Sequence, residues 1–183
     1  QGPNLGVAGF SQPCHEWEML AGCLPETLDE VTQKTFKELN IILREELQDH
    51  GVENFKGQAL VKQCQEIVLQ EQEGKPFSSL EYWTTVGQCL PVDYMLIPQI
   101  FEWREREGGE WGVDQPAKVV LDLYLVDVGQ EKLLDRFHFE REQQSLSENI
   151  LDVKKFFQRQ GRWVTAFDLA REGLDQGLTE LGL

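Results

Sequence analysis

Two alternating runs set almost back to back constrain this chain more than any other feature. In "AKVVLDLYLVDV" the residues Val119, Leu121, Leu123 and Leu125 share one face, against Lys118, Asp122 and Tyr124 on the other. In "LLDRFHFE" Leu133, Phe137 and Phe139 point inward against Arg136, His138 and Glu140. Gly129 lies in the short connection between them, so the pair reads as a β-hairpin. Just upstream, "VDYMLIPQIFEW" is also β-rich, and Pro98, which has no N–H to donate, predicts a sheet edge or a bulge there. Three strands in succession imply antiparallel neighbours and rule out a doubly wound nucleotide fold.

The rest of the chain is mostly helical in period. Leu28, Val31, Thr35, Leu39, Ile42, Leu43 and Leu47 form one stripe, with a capping-box pair at Thr27 and Glu30 and a stop at Gly51. A second helix is predicted over about Gln58 to Gln72, with Leu60, Cys64, Ile67 and Val68 on one side. A third begins at Ser78, with Glu81 three residues on, and carries Leu80, Trp83, Gly87 and Leu90 inward. Ser145 with Glu148 opens another before Ile150, Val153, Phe156 and Phe157, and Gly161 stops it. Thr165 with Asp168 opens the last, which bears Leu169, Gly173, Leu174, Leu178 and Leu181. A short first strand over Asn4 to Phe10 completes the order: strand, three helices, three strands, two helices. The expected fold is one α/β domain of the α+β type over residues 1–183, a mixed and mostly antiparallel sheet with helices on at least one face.

At 183 residues about 70% of the unfolded surface can be buried, so a core needs neither metal nor disulfide. The formal net charge is -15, a field that repels phosphate backbones and anionic headgroups. Nucleic acid and a peripheral membrane surface are therefore poor partners. The most apolar run, Tyr94 to Phe101, is far shorter than the roughly 20 residues that span a bilayer. The opening "QGPNLGVAGF" has no basic start or long apolar core, and Gln1 and Gly2 read as the remnant of a cleaved tag in front of a trimmed natural start.

No catalytic signature stands out: there is no phosphate loop, nucleophile elbow, paired-histidine zinc helix or CxxC. His138, between Arg136 and Glu140, reads as a polar member of an outward sheet face rather than a general base. In "QPCHEWEMLAGCLPETLDE" the set Cys14, His15, Glu16 and Cys23 lacks the short Cys spacing with which one turn grips zinc. No metal or cofactor is expected. Four cysteines allow three full pairings; Cys14–Cys23 and Cys64–Cys89 are both open, as are four free thiols.

The stretch "LEYWTTVGQCLPVDYMLIPQIFEWREREGGEWGVDQPAKVVLDLYLVD", then "EREQQSLSENILDVKKFFQRQGRWVTAFDLAREGL" and the opening "NLGVAGFSQPCHEWEMLAG", resembles uncharacterised lipoproteins of delta-type proteobacteria. These are similar in turn to the group with the fold of the TolB N-terminal domain, shared by curli-secretion and penicillin-binding-protein-activator lipoproteins. The resemblance implies helices packed on a mixed sheet, and outer-membrane attachment, facing the periplasm, through a lipid-modified cysteine before residue 1. It carries no catalytic residue. It also implies an oxidising compartment, in which Cys14–Cys23 would be a local staple.

A non-enzymatic envelope adaptor that binds other envelope proteins is the expected role, against binding of a small ligand in a cleft beside the sheet. The candidate surface is "FEWREREGGEWGVDQP" with the start of "EREQQSLSEN": Trp103, Arg104, Arg106, Trp111, Glu140 and Arg141. Within it Trp103 is expected to finish the core, and Trp111 either to cover the sheet end or to anchor a partner.

Overall fold

The computed structural model describes residues 4–75, 77–109, 113–143 and 163–183. In chain order the elements are β1 (Leu5–Val7), a 3-10 turn (Glu16–Glu18), α1 (Gln33–Asp49), β2 (Phe55–Lys56), α2 (Gln58–Glu71), α3 (Ser79–Cys89), β3 (Tyr94–Arg104), β4 (Lys118–Asp127), β5 (Lys132–Glu142) and α4 (Ala166–Leu181). They form a single α+β domain around one five-stranded sheet of order β2-β1-β3-β4-β5. β1 lies parallel to β2 and β3, while β3, β4 and β5 run antiparallel. The expected helix between residues 145 and 161 lies outside the described residues.

Both faces of the sheet are covered. Leu39, Leu43 and Leu47 of α1 and Leu174 and Leu178 of α4 pack on Leu96, Leu121, Leu123, Phe137 and Phe139. On the opposite face Val61 and Val68 of α2 and Tyr82, Trp83 and Val86 of α3 pack on Met95, Ile97, Tyr124 and Val126. A strand buried on both faces has no solvent side, which is why Asp122 and Tyr124 are as inaccessible as the leucines between them. α4 reaches the sheet closely because Gly173 and Gly177 carry no side chain there. A Cβ at Gly173 would stand 2.7 Å from the Phe139 ring, and one at Gly177 2.6 Å from Leu123 and Phe137.

Local rules account for most boundaries. Ser78 accepts from the Glu81 N–H, and Thr165 with Asp168 makes the complete capping box. α1 ends in a Schellman turn: Gly51 takes φ +79, and the Val52 and Gly51 amides donate to Leu47 and Gln48. α1 begins later than its apolar stripe suggests, with Thr32 as the cap in place of Thr27. The amide of Gln12 explains this. Its Nε2 donates to Asp29 O at 2.8 Å and its Oε1 accepts from Val31 N at 3.1 Å, holding that backbone as a strand partner would.

Three other expectations are corrected. β3 is the central strand, so Pro98 is at no edge; β1 stops at Val7, and the bulge falls at Phe101, where the pairing steps from Ile100 to Glu102. In β5 the pairing steps from Asp135 to Leu133, which turns Leu133 onto the α2/α3 face. The disulfide joins Cys64 to Cys89, with Cα atoms 5.8 Å apart, and not Cys14 to Cys23, which are exposed free thiols. Packing of α2 on α3 brings the first pair within bridging distance. The stretch between the second pair is tied to the sheet and to its own turn. Glu18 Oε2 accepts from the amides of Cys14 and His15, and the carbonyls of Glu18 and Ala21 accept from Gln99 and Tyr124.

Candidate functional site

The register of the three long strands places Gln99, Asp122 and His138 in one row on the α2/α3 face, beside Tyr124 and Arg136. Asp122 is the centre of this group and is fully buried. Its Oδ2 accepts from Tyr124 Oη at 2.7 Å and from Arg136 Nε at 2.8 Å, and Arg136 Nη2 stands 2.8 Å from the same oxygen. Its Oδ1 is 2.5 Å from Nδ1 of His138. A strap over residues 12–24 closes the row from above. Glu18 O accepts from Ser79 Oγ at 3.1 Å and Gln99 Nε2 at 3.0 Å, and Gly22, at φ +81, leaves room for the Arg136 guanidinium. The strap also lays Trp17 against Phe77 and Tyr82, at centroid distances of 5.2 and 6.1 Å.

This geometry makes Asp122 an acceptor in every direction. Burying a carboxylate is costly unless its lone pairs are satisfied, and the adjacent guanidinium supplies the compensating charge. Burial raises the Tyr124 phenol far above its ordinary value, and the Asp122 carboxylate it bonds adds to the rise. His138 faces this carboxylate through Nδ1, and its side chain is 48% exposed. Among the described residues the hydrogen bond of His138 is to Asp122 alone. What the cluster does in this structure is hold the strap, β4 and β5 together. His138 sits on the face expected for it; the buried carboxylate behind it does not show in the residue pattern, since alternation marks Asp122 only as facing away from the leucines.

The residues expected to form a partner surface gather at the far end of the same sheet. Trp103 packs on Phe167 of α4, centroids 4.7 Å apart, and finishes the core there. Arg104 donates to Pro116 O at 3.1 Å and pairs with Glu142. Arg106 lies 4.7 Å over the Trp163 ring and donates to Gly109 O at 2.6 Å. Glu140 pairs with Lys118 at 3.4 Å, and Arg141 with Glu172 at 3.4 Å. Hydrogen bonding to Glu102 raises the Lys118 ammonium above its ordinary value. The structure thus brings five of the six together and engages each within the chain. Trp111 lies outside the described residues.

A second cluster joins α1 to α4. Glu46, His50 and Asp175 offer oxygen and nitrogen atoms within 4.8 Å of one another. Arg171 binds Glu46 at 2.7 Å and Glu45 at 2.6 Å, while His50 faces Asp175 at 2.9 Å and Leu183 O at 3.2 Å. With a guanidinium on the one buried carboxylate, the arrangement is that of an interhelical ion-pair network.

No protein-family model matches the chain, and no match is found among curated proteins. Among solved structures it is similar to a variant PelC dodecamer from Paraburkholderia phytofirmans, with 13% identity, 98% of this chain and 88% of that chain covered, and a TM-score of 0.54. A second PelC dodecamer structure from the same organism gives 13% identity, 97% and 86% coverage, and 0.50. Lipoprotein GNA1162 from Neisseria meningitidis is 15% identical over 88% of this chain and 100% of its own, at 0.46. At such identities the likeness is one of fold.

Proposed function

We propose that this chain is a non-enzymatic cell-envelope domain that works by binding other envelope proteins. The observation that carries the reading is a set of large apolar side chains left in solvent on the two helices that flank strand β2 in the chain. Ile41 of α1 is 58% exposed, Leu60 and Ile67 of α2 48% and 47%. A hollow of about 330 Å³ lies at Ile41, lined also by Lys37, Asn40, Arg44 and Gln58. Exposed apolar surface bordered by polar groups is what a partner covers. The Cys64–Cys89 bond suits an oxidising compartment, and the PelC structures of this fold are dodecamers, in which subunits meet subunits. Attachment to the outer membrane by a lipid-modified cysteine before residue 1, a TolB-like ancestry and an origin among delta-type proteobacteria belong to this reading through the sequence resemblance.

The test is the native mass of the protein extracted from its own envelope in mild detergent without reductant. Complexes heavier than the 21.1 kDa chain are expected. They should dissociate when Ile41→Asp and Ile67→Asp are combined in a chain whose circular dichroism is unchanged. A wild-type chain that runs free in every extract would refute the proposal.

One observation favours a small ligand instead: Gln99 Oε1 is buried beside Asp122 with no hydrogen-bond partner. A stoichiometric non-covalent organic adduct in the same native spectrum, lost in Gln99→Leu, would select that reading.

A further inference from the structure

We infer that the strap turn carrying Trp17 docks a basic segment of a partner protein, one that sets Lys or Arg side chains against an aromatic anchor. The inference rests on the interaction reading above and names the partner's chemistry at a second surface. Trp17 is 42% exposed although it has two aromatic neighbours, Phe77 and Tyr82, against which it could be buried. Its ring is steeply inclined to both, at interplanar angles of 73° and 86°. At that exposure part of the indole is left open to a further contact.

The surroundings are acidic. From residue 1 to Gln33 there is no Lys or Arg, while Glu16, Glu18, Glu26, Asp29 and Glu30 all fall in that span. Glu18 is spent on the turn itself, accepting from the Cys14 and His15 amides. Glu16 and Glu81 are exposed and make no side-chain hydrogen bond or ion pair among the described residues; Glu81 stands next to Tyr82 in α3. The Arg136 guanidinium beneath the strap is paired with Asp122. An exposed indole on a stretch that carries carboxylates and no lysine or arginine is complementary to a cation, which gains from the aromatic system and from the acids together. The turn is also held rather than loose, because Ser79 and Gln99 both donate to Glu18 O, so docking orders little that is not ordered already.

The two free thiols frame this surface, at Cys14 and Cys23, and report on it. The experiment uses the whole chain and a fluorescein-labelled peptide of alternating Arg and Leu, with a Glu/Leu peptide as control. Trp17→Ala should weaken binding roughly tenfold, as a central aromatic anchor does. Glu16→Gln with Glu81→Gln should weaken it about threefold, and Trp17→Phe should restore most of the loss. Bound peptide should slow labelling of Cys14 and Cys23 by a maleimide. Equal weakening by Glu66→Gln with Glu71→Gln on α2 would reduce the effect to net charge and overturn the inference, as would unchanged binding in Trp17→Ala or unprotected thiols. If the peptide fails while native complexes persist, only this inference falls; loss of the complexes themselves would remove the reading beneath it.

Discussion

The Cys64–Cys89 bond provides the sharpest quantitative test of the fold. It closes a loop with a sequence separation of 25, and its two ends sit on the packed helices α2 and α3. Opening it returns to the unfolded chain the freedom that the loop had lost. For a loop of that length the chain-entropy relation gives about 3.5 kcal/mol at 25 °C. Cys64 is buried among Val61, Val68 and Tyr82, so replacing both cysteines by alanine removes little volume and leaves no buried polar atom. For a chain of this size 3.5 kcal/mol corresponds to a fall in Tm of roughly 7–14 °C. The assay is urea unfolding of the wild type, with and without phosphine reductant, beside the Cys64→Ala/Cys89→Ala variant. The variant should match the reduced wild type and be indifferent to reductant. A loss below about 1 kcal/mol, or a variant that reductant still destabilises, would refute the reasoning. The second outcome would mean that the cysteines of the strap carry a stabilising bond.

Asp122→Asn should cost about 2–4 kcal/mol in the same unfolding assay, because Arg136 loses its buried counter-charge; a cost under about 1 kcal/mol would show that the cluster does not hold the strap. Above pH 10 the unfolded chain ionises Tyr124 while the fold keeps the phenol protonated, its value being raised by burial and by Asp122. Stability should therefore fall as pH rises through that range, by up to about 1.4 kcal/mol per unit for this group. Tyr124→Phe should flatten that decline by the same amount, read as unfolding free energy from pH 9 to 11.5; an unchanged slope would place the group elsewhere. Gly173→Ala should cost about 1–3 kcal/mol, since its Cβ would fall 2.7 Å from Phe139 and α4 would have to move. Gly74→Ala, with nothing near the added atom, should cost less in the same assay and only through its positive φ of +79.

Period and capping made α2, α3, α4 and the β3-β4-β5 run legible, because both are local. Which residues turn inward depends on neighbours three or four positions away in a helix and two in a strand. The chain therefore states the inward face of α4, with Leu169, Leu174 and Leu178 on one side, but that of α2 only in part: Cys64 and Val68 are buried as expected, whereas Leu60 and Ile67 are exposed and Val61 is buried in their place. β2 was not legible, because two residues have no period, and neither was the true start of α1, set by a side chain seventeen positions before Asp29.

What remained was decided by distance in space. Alternation assigned Asp122 to the face away from the leucines, but whether that face meets water or a helix depends on where α2 and α3 settle. Their settling converts Asp122 from a surface carboxylate into the buried centre of a Tyr–Arg–His cluster. The choice among cysteine pairings followed the same way, since a bond of fixed reach forms between whichever thiols packing brings together. Pro98 reads as an edge or bulge residue on chemistry alone; in the assembled sheet it occupies the central strand, in the gap between the β1 pairing that ends at Val7 and Leu96 and the bridge that resumes at Ser11 and Gln99. Local pattern carries which way a side chain turns, and only the assembled layers determine what it turns toward.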